Sequence, residues 1–282
     1  DLHYPLRRQR QMCIRDSLGP QGTWTHQAAI SKFGHSVEYS PQESLAGVFD
    51  CVARKKADYG VVPIENSTEG AVNHTLDMFA DSPLRICAQI LLPIENALMT
   101  KISREDITKL YSHPQVFGQC RNWIQKNFPS AELVEVSSTT RAAELIRDQT
   151  GAAALGGRLA AELNNLEVLE ENIQDKATNT TRFLVLSHKM CPPTGNDRTS
   201  VMFSVRDKAG SLFKALEPFN EFHINMSKIE SRPSKQREWE YFFFVDIAGH
   251  CEDPKLSEAL HNLEEHCNFI KVLGSYPDSE SK

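Results

Sequence analysis

The run Val61-Val62-Pro63-Ile64-Glu65-Asn66-Ser67-Thr68-Glu69-Gly70 brings carboxylates, an amide and two hydroxyls to the end of a short apolar strand. These are the groups of hydrogen bonding and proton transfer, and in open α/β sheets ligands lie at the carboxyl ends of strands, where the following loop borders a crevice. Asn, Ser, Thr and Gly are also ordinary turn residues, and Glu69 suits a helix N-terminus, so the segment alone supports either reading.

Three further segments carry groups of the same kind. Leu18-Gly19-Pro20-Gln21-Gly22-Thr23 opens a helix running through Trp24, Ala28 and Ala29. Its glycines let backbone amides approach a ligand, and Thr23 is a good N-cap at the positive end of a helix, an arrangement suited to a carboxylate. It lacks the G-x-G-x-x-G and Walker spacings. Leu110-Tyr111-Ser112-His113-Pro114-Gln115 ends a strand and leads into a helix with Gln119, Cys120 and Trp123. In Asn179-Thr180-Thr181-Arg182-Phe183, Thr181 can donate a hydrogen bond, and the planar fork of Arg182 fits either a ligand carboxylate or an internal salt bridge.

Around these segments strand and helix signals alternate. Ser137-Ser138-Thr139-Thr140 caps a helix from Arg141 to Asp148, and Ala152-Ala153-Ala154-Leu155-Gly156 reads as a buried strand. Alternation of this kind implies mostly parallel sheets with crossover helices. At 282 residues and 40% apolar content, the chain is long enough for about two domains, each with a core. No apolar run approaches the roughly 20 residues that span a bilayer, so no membrane partner is expected. The 31 basic residues against 37 acidic ones form no basic stripe, which argues against a nucleic-acid surface. The seven cysteines are scattered without a C-x-x-C pair and read as free thiols. His261, His266 and Cys267 follow a helical packing pattern, so neither a metal nor any other cofactor is expected. Residues 1–17 lack apolar periodicity, and Met12-Cys13-Ile14-Arg15-Asp16-Ser17 reads like translated adapter DNA, so this segment is expected to be non-native or disordered.

Taken in order, the Gly19 to Thr23 loop, Val62 to Gly70, Ser112 to Gln115 with Gln119-Cys120, Ser137 to Thr139 and Asn179 to Phe183 resemble the motifs of the prephenate dehydratase family. The resemblance implies a fold similar to type 2 periplasmic binding proteins, two α/β lobes around a cleft, spanning residues 18–188. Lobe one would hold about 18–92 and 169–188, and lobe two about 93–168. It implies that prephenate loses its ring hydroxyl and ring carboxylate to give phenylpyruvate, in the cytoplasm, without a cofactor. Thr181 would stand at the catalytic centre with Glu65 as a proton source, and Asn66, Ser112 and Gln119 would orient the substrate. Thr23, Ser67, Ser138, Arg182 and Phe183 would line the substrate site, and His113 would serve there either as an acid or in a supporting role. Arogenate as substrate, or a silent amino-acid sensor, are the competing readings.

Beyond the linker Cys191-Pro192-Pro193-Thr194-Gly195-Asn196-Asp197, the pattern is strand 199–205, helix 211–219, strands 224–230 and 240–248, helix 255–266 and strand 269–275. This βαββαβ order specifies a ferredoxin-like sandwich over 198–276. Gly210-Ser211-Leu212-Phe213 and Asn225 to Pro233 resemble the ligand motifs of ACT regulatory domains. That resemblance implies phenylalanine as effector, held by Gly210, Ser211, Leu212, Asn225, Glu230, Ser231 and Arg232 in a homodimer or homotetramer.

Overall fold

A computed structural model describes residues 15–234 and 240–278, the first three through their backbone alone. Lobe one contains β1 (Arg15–Leu18), α1 (Trp24–Phe33), β2 (Tyr39–Gln42), α2 (Leu45–Ala53), β3 (Tyr59–Asn66), β4 (Gly70–Ala71), α3 (Asn73–Met78) and β5 (Arg85–Pro93). Lobe two contains β6 (Ala97–Thr100), β7 (Lys109–Ser112), α4 (Pro114–Gln119), α5 (Arg121–Asn127), β8 (Glu132–Glu135), α6 (Thr139–Ile146), β9 (Ala152–Gly156), α7 (Arg158–Asn164) and β10 (Glu167–Glu170). The chain then returns to lobe one as β11 (Thr180–Ser187).

The lobe-one sheet has the order β2-β1-β3-β11-β5, with β4 hairpinned onto β3, and the lobe-two sheet has the order β10-β6-β9-β7-β8. The expected parallel pairing holds within β2-β1-β3 and β9-β7-β8, whereas β11 and β6 run antiparallel to their neighbours. These are the strands by which the chain re-enters one lobe from the other, and such a connection needs no crossover helix. Because β10 pairs with β6, the return to lobe one falls after Glu170, slightly later than expected at 169. Of the segment expected to be non-native, residues 1–14 lie outside the described residues. Arg15–Ser17 nevertheless pair in parallel with β2 and β3, because backbone donors and acceptors flanking that slot are satisfied by a strand whatever its side chains.

The third unit comprises β12 (Asp197–Val205), α8 (Ser211–Glu221), β13 (Met226–Pro233), β14 (Tyr241–Ala248), α9 (Pro254–Glu265) and β15 (Cys267–Pro277). Its antiparallel sheet, ordered β13-β14-β12-β15, is ferredoxin-like. Alternation divides that sheet cleanly. Val201, Phe203, Val245 and Ile247 pack under the two helices, while Met202, Phe242, Phe244, Leu273 and Tyr276 face lobe one. There they share one core with Val62, Ile64, Leu184 and Leu186 of β3 and β11. The other face of the same two strands, with Val61, Phe183 and Val185, packs against Ala28 and Ala29 of α1. Buried on both faces, β3 and β11 therefore read as near-continuous apolar runs.

Candidate active site

The mouth of the cleft is built where β3 ends beside the start of β11. Thr181 and Asn66 are cross-strand partners, and the Asn66 amide donates to Thr181 Oγ1 at 2.8 Å and to Asn179 Oδ1 at 2.8 Å. Asn66 Oδ1 in turn accepts from the backbone N–H of Thr68 at 2.9 Å and of Glu69 at 3.2 Å, and from the Thr68 hydroxyl at 2.6 Å. The 67–70 turn thus fixes the amide orientation, with Gly70 at φ +84 closing the hairpin to β4. Since Thr181 Oγ1 accepts from Asn66, its own proton is left to donate elsewhere.

Thr181 and Asn66 line a cavity of about 380 Å³ together with Trp24, Pro63, Glu69, Gln119 and Phe183. Gln119, from lobe two, reaches across to donate to Glu69 Oε1 at 3.3 Å and accepts from Asn96 Nδ2 at 3.2 Å. The adjoining part of the cleft, about 570 Å³, shares Trp24, Thr25, Gln115 and Val116 and is bordered by Thr23, His113, Ser138 and Arg141. Here Thr23 and Ser138 are N-caps, accepting from His26 N at 3.4 Å and Arg141 N at 3.0 Å, so the positive ends of α1 and α6 converge on one space. The Arg141 guanidinium, paired with Glu144 at 3.0 Å, adds a cation at the same border. Across the cleft the Trp24 ring lies against Gly157, where an added Cβ would stand 2.9 Å from the indole. His113 Nδ1 accepts from Gln115 N at 3.3 Å, which makes it an N-cap of α4. Cys120 is buried, and burial pushes its thiol up to about 12, so it stays protonated beside the cleft.

Four expected site residues lie elsewhere. Glu65 turns away from Thr181, because the register slips by one residue between Phe183, opposite Pro63, and Arg182, opposite Glu65. That bulge leaves Ile64 unpaired and re-aims Glu65 to the back of the sheet, where it meets Lys228 Nζ at 2.8 Å. Arg182 also faces back, only 7% exposed, bonded to Asp246 at 2.6 Å and Tyr276 Oη at 2.8 Å. Burial opposes its charge, but Tyr276, Asp246 and Glu65 together hold its pKa above the ordinary arginine value. Ser67 staples the backbone instead, accepting from Thr180 N at 2.9 Å and donating to Thr178 O at 3.0 Å. Ser112 is fully buried and donates to Leu155 O at 2.8 Å, a sheet contact.

The expected effector residues split in the same manner. Gly210, Ser211 and Leu212 start α8 on the helical face of the third sheet, and Ser231, opposite Phe243, faces the same way. Glu230 and Arg232 lie opposite Phe244 and Phe242 on the face toward lobe one, and Arg232 pairs there with Asp77 at 3.2 Å. Asn225 precedes β13, its carbonyl accepting from Ala248 N at 2.9 Å.

Glu69, Asn96, Asn179 and Trp24 join the site without having been singled out as site residues. A signal for Asn96 exists, since Pro63-Ile64-Glu65-Asn66 recurs as Pro93-Ile94-Glu95-Asn96 at the end of β5. Among the described residues no cluster of His, Cys, Asp or Glu could hold a metal, and no helix is long and apolar enough to cross a membrane.

Residues 16–191 match the family model for prephenate dehydratase, and residues 199–265 that for the ACT domain. The chain is 48% identical over 261 residues to a bifunctional chorismate mutase/prephenate dehydratase of Aquifex aeolicus (strain VF5), covering 92% of this chain and 72% of that protein. Among solved structures it resembles prephenate dehydratase of Arthrobacter aurescens in complex with L-Phe, with a TM-score of 0.88, 33% identity and coverage of 95% and 91%. It also resembles GqqA, described as a novel type of quorum quenching acylase, with a TM-score of 0.87, 28% identity and coverage of 94% and 98%. With a matched catalytic region, a matched regulatory domain and relatives aligned along nearly the whole chain, the protein belongs to the prephenate dehydratase family.

Proposed function

We propose that this protein converts prephenate to phenylpyruvate and that phenylalanine regulates it through the ACT domain. The observation that carries the reaction is the Asn66 amide bonded at 2.8 Å to Thr181 Oγ1 in a cleft closed by both lobes. Held in this way, the threonine proton points a hydrogen bond at the departing ring hydroxyl. As that C–O bond breaks, the ring carboxylate leaves as carbon dioxide and its electron pair completes the aromatic ring. Aromatisation drives the step, so the protein supplies orientation and charge stabilisation. A hydroxyl is too weak an acid to yield its proton outright. Glu69, the carboxyl group lining the cavity beside Thr181, takes the proton-supplying role first considered for Glu65. The convergent ends of α1 and α6, with Arg141, bind the substrate carboxylates in the adjoining space.

The protein acts in the cytoplasm as a homodimer in this reading. Phe213 in the Gly210 motif and Ile229 within β13 are 71% and 46% exposed, apolar side chains suited to contact with a second copy. The test is conversion of prephenate by purified protein, with and without phenylalanine, beside Thr181→Val and an arogenate control. Turnover of prephenate that phenylalanine suppresses and Thr181→Val abolishes supports the reading. Binding of phenylalanine without turnover overturns it in favour of a sensor.

A further inference from the structure

Two rungs of the β3–β11 ladder lie side by side, and they face opposite ways. Asn66 and Thr181 form the rung in the cleft, while Glu65 and Arg182, their immediate neighbours in the chain, form the rung toward the ACT domain. Each member of this back rung is held by an ACT side chain. Lys228 Nζ lies 2.8 Å from Glu65 Oε2, and Asp246 lies 2.6 Å from Arg182, itself 3.8 Å from Glu65. Asp246 is fixed further by Ser200 Oγ at 2.5 Å, and Tyr276 Oη bonds both Arg182 and Ser200. Asp246 is buried away from solvent, whereas Lys228 and Glu65, with the edge of Arg182, border a cavity of about 340 Å³ between the domains.

We propose that Lys228 is a positioning residue for the Asn66–Thr181 pair, and that the ACT domain acts on the reaction through the Lys228–Glu65 bridge. The inference rests on the dehydratase reading above. Lys228 belongs to β13, the same edge strand that carries Glu230 and Arg232, and all three lie on the face toward lobe one. A displacement of β13 moves Lys228 with it, draws on Glu65, and reaches Asn66 through one peptide unit. The Asp246–Arg182 pair holds the opposite strand meanwhile. Because Lys228 and Asp246 are cross-strand partners on β13 and β14, a shift between those two ACT strands is passed to β3 and β11, and the quantity that changes is the geometry of the Asn66–Thr181 hydrogen bond.

The experiment uses the full chain as wild type, Lys228→Met, Lys228→Arg and Glu65→Gln, each checked for cooperative unfolding. Turnover of prephenate is measured with and without phenylalanine, and phenylalanine binding is measured by calorimetry. For Lys228→Met the expected result is a kcat at least about 10-fold lower with KM changed less than about 3-fold. Its suppression by phenylalanine should weaken at least about 5-fold while phenylalanine still binds, because coupling between sites is separable from affinity at either. Lys228→Arg should recover most of both properties, and Glu65→Gln should reproduce the loss from the other side of the bridge. Wild-type kcat and wild-type suppression in Lys228→Met, or a change confined to unfolding temperature, would overturn the proposal. Should Lys228→Met fail to fold, Glu65→Gln decides by the same criteria. If the wild type ignores phenylalanine, the feedback reading fails and the kcat arm alone decides the positioning role. If the wild type does not turn over prephenate, the proposal falls with the dehydratase reading.

Discussion

The cleft face and the ACT face of β3 and β11 use the same backbone for opposite purposes. Toward the cleft, Asn66, Thr181 and Phe183 border open space, and the polar groups there retain hydrogen-bonding capacity for a ligand. Toward the ACT domain, Leu184 and Leu186 join Phe244 and Tyr276 in a shared core, and Arg182 bonds to Asp246 and Tyr276. In Thr181-Arg182-Phe183 the surroundings alternate residue by residue, since successive side chains of a strand point to opposite faces. The motif therefore combines one side chain that faces the cleft with one that docks a domain.

Removing the hydroxyl on the cleft face should give the largest effect. Thr181→Val is expected to lower kcat on the order of 1,000-fold, while Thr181→Ser stays within about 10-fold, as followed by phenylpyruvate absorbance. Equal rates for Val and wild type would erase the distinction between the faces. On the opposite face, Arg182→Met leaves Asp246 buried without its partner and should cost about 3–5 kcal/mol in urea unfolding. A raised KM at unchanged stability would instead return Arg182 to the substrate. Ser112→Ala sharpens the same line within lobe two. Loss of its bond to the Leu155 carbonyl should cost about 1–3 kcal/mol without altering KM.

The smallest effect concerns pH. Burial, and then the nearby His35, hold the His26 pKa below the usual 6.5, and its Nδ1 accepts from Gly22 N at 3.0 Å, which requires a neutral ring. The unfolded chain therefore binds this proton at a higher pH than the folded one. Stability should decline as pH falls below about 6.5, and His26→Gln should flatten that decline in urea midpoints compared at several pH values.

Much of the architecture was legible because it rests on local rules. The βαββαβ order of the ACT domain emerged with element ends displaced by a few residues, since period-2 and period-3.6 patterns report burial directly. The N-caps Thr23 and Ser138 were legible too, because a hydroxyl ahead of a helical pattern satisfies that helix's own first donors. Asn66, Gln119 and Thr181 were placed together by their motifs, although chain spacing could not show which atom of Asn66 meets Thr181.

Glu65, Arg182, Ser67 and Ser112 belong to the same motifs, and a motif states residue type without stating a direction. A one-residue register slip at Ile64 turned Glu65 through the sheet, and Asp246, distant in the chain, claimed Arg182. What the sequence determined by itself was which segments become strands, helices and caps, because those depend on neighbours within a few residues. Which face each polar side chain occupies, and which charge it meets there, was decided only by tertiary structure, because a bulge and a docked domain act through contacts far apart in the chain.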